Sequence, residues 1–122
     1  MTVNEYQLKA HSFSFYGRPV CYEDVGGQVV SHNLDYVYPA MALSEEAGEV
    51  SGKFAKAVRD ESGHISTERK IAIEKELGDV CWFVAELCTI MGFSMEEVMQ
   101  HNIDKLTDRK ARNVLKGSGD NR

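Results

Sequence analysis

The residues best suited to chemistry in this chain are four carboxylates set out as two pairs. Glu46 and Glu49 lie in Ser44-Glu45-Glu46-Ala47-Gly48-Glu49, and Glu76 and Asp79 in Lys75-Glu76-Leu77-Gly78-Asp79. Each pair reads E-x-x-[E/D], which on a helix sets the two side chains side by side, with Cβ atoms roughly 5–6 Å apart. Both stretches carry apolar residues at helical spacing, so the acids border buried faces and are not scattered over solvated ones. Like charges crowded along such an edge repel one another unless a cation holds them together. Oxygen ligands without His or Cys at matching spacing suit a hard ion, Mg²⁺ with Mn²⁺ as a substitute. The implied chemistry is metal-assisted and directed at phosphate. Asn102, Lys105 and Arg109, three and four residues apart, make a helical stripe able to grip phosphate oxygens. Glu45, beside the metal acids, is placed to orient or deprotonate a water.

Four helical blocks and one irregular stretch must position these groups. Block one runs from about Val3 to His11. Residues 13–37 contain Gly17, Pro19, Gly26 and Gly27, show no sustained period, and read as a long loop. The aromatics there (Phe13, Phe15, Tyr16, Tyr22, Tyr36) argue against disorder. Block two starts near Pro39, a favourable first-turn residue, and ends around Asp60. Leu43, Ala47, Val50, Phe54, Ala57 and Val58 form its inward stripe, flanked by Glu46, Glu49 and Lys53.

Block three runs from about Thr67 to Met91, with Ile73, Leu77, Val80, Cys81, Val84, Leu87, Cys88 and Met91 inward. Glu76, Asp79 and Phe83 share its flank, and Gly92 stops it. Block four opens on Ser94-Met95-Glu96-Glu97, a capping box, and continues to about Leu115 with Met95, Met99, Ile103 and Leu106 inward. Residues 117–122 read as a flexible tail. The pattern predicts a single all-α domain over residues 1–122, an antiparallel bundle of about four helices.

Composition bounds the class. No stretch approaches the ~18 apolar residues of a membrane span, and the N-terminus lacks a signal-peptide pattern, so no membrane partner is expected. Three cysteines, an odd number without metal-ligand spacing, suit a reducing cytoplasm. Cys81 and Cys88, about 10 Å apart along one helix, are too distant to bridge and read as small buried hydrophobes. From Lys105 onward the local charge is +4 while the whole chain carries −5, leaving −9 for the remainder. An acidic body repels a polyanion, so a nucleic-acid partner is not expected. A small multiply charged anion, held by metal on one side and Arg/Lys on the other, fits better.

Taken together, E-E-x-x-E, then 26 residues, then E-x-x-D, then a helix reading N-x-x-K-x-x-x-R over 102–109, resembles the MazG-type nucleoside triphosphate pyrophosphohydrolases. That all-α superfamily includes the dimeric dUTPases and the dCTP pyrophosphatases. The resemblance spans roughly Tyr38 to Arg112. It implies hydrolysis of a (deoxy)nucleoside triphosphate to the monophosphate and pyrophosphate, with Mg²⁺ held by Glu46, Glu49, Glu76 and Asp79. It also implies a homodimer, or a homotetramer of two dimers, with clefts completed across subunits. Residues 13–37 and the tail lie outside the shared core, so no substrate base carries over.

The base must be held by groups elsewhere. Tyr36, Tyr38 and Phe83 could stack on a ring of any identity. Asp120, in a glycine-flanked tail, is an acceptor suited to the adjacent N–H donors of guanine, which leans the substrate toward (d)GTP. Lys53 joins the phosphate set, with a surface counter-charge as its competing reading. His11, His32, His64 and His101 show no paired spacing and are not expected as ligands or bases. Two other classes compete. A di-iron carboxylate bundle wants Glu-x-x-His from two helices, and the one instance, Glu61-Ser62-Gly63-His64, falls in a glycine turn. A non-catalytic helical interaction module would leave the acids as surface; stabilisation by Mg²⁺ and release of pyrophosphate separate it from the enzyme.

Overall fold

A computed structural model describes residues 1–17 and 20–119. In chain order these form α1 (Val3–His11), β1 (Val20–Val25), β2 (Gln28–Asn33), α2 (Val37–Asp60), α3 (Thr67–Ile90) and α4 (Met95–Ala111). The helix starts follow local chemistry. Ser94 caps α4 by accepting the Glu97 amide N–H at 3.3 Å, and Ser66 caps α3 by accepting that of Arg69 at 3.2 Å. At α1, Thr2 and Glu5 satisfy each other's backbone amides, a reciprocal box that spacing arguments did not single out. At the other end of α3, Gly92 turns left-handed (φ 73°) and lets Phe93 donate back to the Cys88 carbonyl at 2.7 Å.

The other three helices assemble on α3. Along one side runs α2, antiparallel: Tyr38 meets Phe83, Lys53 meets Glu76, and Glu61 meets Arg69 as the two chains run in opposite directions. Ala85 and Cys88 stand roughly 120–180° round the helix from Glu76, at 100° per residue. On that far side α1 sets Ala10 against them, and Met95 of α4 completes the cluster. Gln7 stitches the turn between α3 and α4, donating to the Phe93 carbonyl at 2.8 Å and accepting the Met95 amide at 2.8 Å. After that turn α4 departs at a bend of 105°. Among the described residues it packs on α1 and α3 and not on α2.

The all-α body is as the sequence implies, and the helices it anticipated end within a few residues of their expected limits. Residues 13–37 differ. That stretch, expected as a loop, contains an antiparallel hairpin with Val20 opposite Asn33 and Val25 opposite Gln28. Gly26 and Gly27, at φ 63° and 86°, make its two-residue turn. Every position of both strands is exposed, and among the described residues the hairpin packs against no helix. With neither face buried, no alternation of apolar and polar residues was needed, so none marked the strands.

The inward stripes were also drawn too wide for one chain. Ala57, Ile73, Cys88 and Met95 are buried, whereas Ala47, Phe54, Val58, Leu77, Cys81, Met91, Met99, Ile103 and Leu106 are exposed. One neighbour covers only part of each stripe. No single helix among the described residues is long and apolar enough to cross a membrane.

Ala85 sits fully buried where α1 meets α3. Ala85→Leu should therefore overpack that contact and destabilise the chain by about 1–3 kcal/mol. Urea unfolding followed by circular dichroism measures it, and an unchanged midpoint would show that α1 does not dock there.

Candidate active site

The seam between α2 and α3 is where the acids meet. Glu46 from α2 and Glu76 and Asp79 from α3 each present a carboxylate oxygen within 4.8 Å of the others. Glu46 and Glu76 are half-buried and Asp79 is exposed. Burial pushes the Glu46 carboxyl above its ordinary value, and the negative charges of Asp79, Glu49, Glu76 and Glu45 push it further. Glu49 and Glu45 thus add to the field at Glu46, although both lie on the exposed side of α2 and outside the three-acid group.

Two cations restrain this seam. Lys53 Nζ lies 2.7 Å from Glu76 Oε1, and that bond raises the lysine's own pKa. Arg69 pairs with Glu61 and donates to the Lys53 carbonyl at 2.9 Å, tying the turn between α2 and α3 to the stretch that carries Lys53. Sequence reasoning missed Arg69, which stands outside the acidic motifs.

The donor set suits a hard divalent ion, since all three groups are carboxylates. At metal–oxygen lengths of about 2.1 Å, oxygens around an octahedral Mg²⁺ stand about 3 Å apart as neighbours and about 4 Å apart as opposites. A spread of up to 4.8 Å is within a small side-chain rotation of that arrangement. The fit also accounts for the crowding, because one dication removes the repulsion the acids impose on Glu46.

One helical turn beyond Asp79 the seam becomes aromatic. Tyr38 of α2 and Phe83 of α3, both anticipated as base-stacking residues, meet edge to face with centroids 6.1 Å apart, but Phe83 is only 3% exposed and packs as core, leaving Tyr38 as the ring a base could reach. Trp82, Phe15 and Tyr16 join them, and a fully buried carboxylate, Glu86, lies beneath. Glu86 was overlooked. Extending the flank that holds Glu76, Asp79 and Phe83 by three residues reaches it, so the signal was present. Tyr36, just ahead of α2, makes no ring contact among the described residues, and Asp120 lies outside them.

The anticipated phosphate stripe is elsewhere in a single chain. Asn102 and Lys105 are exposed on α4, which lies on the far side of α3 from Glu76. Arg109 is only 5% exposed and donates to the Gly119 carbonyl of its own tail at 3.3 Å. Within one protomer, then, the acids come together while the α4 stripe does not join them.

A family profile described as the MazG nucleotide pyrophosphohydrolase domain matches residues 39–114, which takes in both acidic pairs and the α4 stripe. The "Gene 37 protein" of Mycobacterium phage L5 is 38% identical over 122 residues, covering all of both chains. The "Uncharacterized protein YvdC" of Bacillus subtilis (strain 168) is 38% identical over 76 residues, 55% of this chain and 68% of its own. No solved structure matches the chain significantly. With the profile spanning well over half its length and the carboxylates of both motifs converging at one seam, the chain belongs to the MazG nucleotide pyrophosphohydrolase family and is a nucleoside triphosphate pyrophosphohydrolase.

Proposed function

We propose that the chain hydrolyses (deoxy)nucleoside triphosphates to the monophosphate and pyrophosphate in a Mg²⁺-dependent reaction, with Mn²⁺ able to substitute. The observation that carries this reading is the convergence of Glu46, Glu76 and Asp79 from two helices into one oxygen-only group. Glu46, Glu49, Glu76 and Asp79 would hold the ion, which supplies charge neutralisation at the phosphates and a more acidic water. Glu45, beside these acids on α2, would orient the attacking water or take its proton. Lys53, now on Glu76, is close enough to turn its ammonium toward a phosphate once Glu76 is engaged elsewhere.

The reading requires more than one subunit. Asn102, Lys105 and Arg109 are the groups suited to the far phosphates, yet α4 does not reach the acids of its own chain. Apolar side chains exposed on α2 (Phe54, Val58), α3 (Leu77) and α4 (Met99, Ile103, Leu106) are the surface that a second copy would cover. A homodimer or homotetramer with clefts completed between subunits accounts for both facts. For the base, the exposed ring of Tyr38 supplies stacking, and the buried Phe83 backs it from α3. A guanine preference would rest on Asp120 in the tail.

Asp79→Ala should abolish pyrophosphate release from every (d)NTP while leaving the helical signal in circular dichroism intact. Wild-type turnover by that variant would remove the metal assignment. In the same assay, deleting residues 117–122 should lower the rate on dGTP relative to dCTP and dUTP, and unchanged relative rates would end the guanine preference.

Glu46 holds its proton more tightly in the folded chain than in the unfolded one. Its ionisation therefore destabilises the metal-free fold above the folded pKa, and the penalty is relieved as pH falls through it. Glu46→Gln should raise the Tm of metal-free protein near neutral pH, with the gap to wild type closing as pH approaches the ordinary value of 4.5. Mg²⁺ at a hundredfold excess over Kd should add about 2.7 kcal/mol to the wild type and markedly less to the variant. A Glu46→Gln protein less stable than wild type without metal would contradict the crowding argument.

Lys105→Ala should slow turnover by tenfold or more, through loss of a charge-assisted contact worth about 1.5–3 kcal/mol. Mixing and reannealing Lys105→Ala with Asp79→Ala subunits should restore activity, because one cleft of a mixed dimer then carries neither defect. Mixtures that stay inactive, or a monomer mass in light scattering at micromolar concentration, would refute shared clefts.

A further inference from the structure

Glu86 is fully buried, yet it is a carboxylate. An apolar side chain of similar volume would serve packing there as well or better, so its presence calls for a reason other than stability. Its partners supply one. The Tyr16 hydroxyl donates to Oε2 at 2.6 Å, and His11 Nδ1 lies 3.2 Å from Oε1. His11 is the last residue of α1, and Tyr16 belongs to the segment that follows it. Glu86 thus fastens the end of α1 and the segment after it to α3. Burial and the bond to Glu86 push the Tyr16 hydroxyl up to about 12, which keeps it a donor at any pH the protein meets.

What the fastening holds is a set of rings. Phe15 stacks along Trp82 (centroids 6.0 Å apart, planes 10° apart), and Tyr16 leans on Tyr38 at 5.1 Å. Tyr38 touches Phe83, Phe83 touches Trp82 at 4.5 Å, and Phe15 touches Tyr16 at 6.1 Å, so the five rings close into a circuit. Phe83 follows Asp79 by four residues, about 6 Å along the helix axis, a separation that a sugar bridges between phosphate and base. Phe15 is 74% exposed and Tyr38 42%, so the circuit offers aromatic surface to a ligand.

We propose that Glu86 is a positioning residue for the substrate's base: by holding Tyr16, and with it Phe15, against α3, it fixes the aromatic wall on which the nucleobase stacks while the phosphates lie at Glu46, Glu76 and Asp79. His11 serves Glu86 as its second partner. Stacking on such a wall is indifferent to the identity of the base, so Glu86 sets affinity for bases as a class and leaves selection among them to other groups. The proposal rests on the nucleotide reading of the seam.

Trp82 is the sole tryptophan of the chain and a member of the circuit, so its fluorescence reports on the wall directly. The test titrates Mg²⁺-loaded protein with a non-hydrolysable α,β-methylene dNTP and, separately, with inorganic tripolyphosphate, following Trp82 emission and calorimetric affinity. The dNTP should quench Trp82 and tripolyphosphate should not. Tyr16→Phe, which removes only a hydroxyl, and Glu86→Leu should each weaken the dNTP about tenfold, the loss expected for one hydrogen bond to a charged group. Tripolyphosphate affinity should stay unchanged, and Glu86→Gln should recover part of the dNTP loss. Equal weakening of both ligands would make Glu86 a fold residue only and overturn the proposal, as would no weakening by Tyr16→Phe. Pyrophosphate release from dNTPs without any Trp82 quench would overturn it and leave the enzymatic reading standing. Base-dependent quenching without pyrophosphate release would uphold the wall while removing the hydrolytic reading.

Discussion

Repulsion among carboxylates at the seam of α2 and α3 is the constraint around which this chain is organised. Three acids that approach within 4.8 Å, with two more adding to the field, work against the packing of the two long helices that carry them. The seam closes because other contacts bracket the repulsion. Below the acids, Lys53 neutralises Glu76, and Arg69 joins Glu61 to the backbone at Lys53. Above them the aromatic circuit spans the same two helices through Tyr38 and Phe83. The acids are thus held together against their repulsion, and a pre-assembled anionic site of this kind would take a divalent ion without having to gather its ligands first.

This division of labour explains why α3 is two-sided. Toward α2 it presents Glu76, Asp79 and Phe83; toward α1 and α4 it presents Ala85 and Cys88, small enough for close approach, with Glu86 bonded to His11 at the end of α1 and to Tyr16 beyond it. The far side is where the chain's own core lies, and it draws α4 away from the acids. A polar stripe on α4 is therefore separated from the chemistry by the helix that positions the chemistry. The exposed apolar rows on α2, α3 and α4 complement that arrangement, because in the proposed assembly a second copy covering them would also bring a second α4.

Much of this was legible in the residues. The acidic pairs, the helix starts at Ser66 and Ser94 and the stop at Gly92 all follow from local rules that act within a few residues: side-chain spacing, capping and the left-handed freedom of glycine. The helical spacing also put Glu46, Glu76 and Asp79 on flanks that face each other once two helices run antiparallel. What sequence could not supply depends on which helix packs where. The 105° departure of α4 is a tertiary outcome, and it separates Lys105 from the acids despite a spacing that reads as a site. The hairpin escaped because its strands bury neither face. Glu86 is a different case: the flank of Glu76, Asp79 and Phe83 runs on to it, but its role shows only once its partners, 70 and 75 residues away in sequence, are placed beside it.

Those partners also mark a boundary in the molecule. The family profile begins at residue 39, so Glu86 lies within the shared segment while His11 and Tyr16 lie before it. The phage L5 relative aligns over all 122 residues, N-terminal part included, whereas YvdC aligns over 76. A carboxylate inside the common body thus serves as the attachment point for an N-terminal element that the profile does not span. Phosphate chemistry needs the same hard-ion ligands whatever the nucleoside, so it can stay on the rigid pair of long helices. The base differs from one nucleotide to another, and an attached segment can change its contacts without disturbing the acids. A buried carboxylate is costly in so small a protein, and here it falls at the joint between the helices that carry the acids and the N-terminal segment whose rings close over the seam.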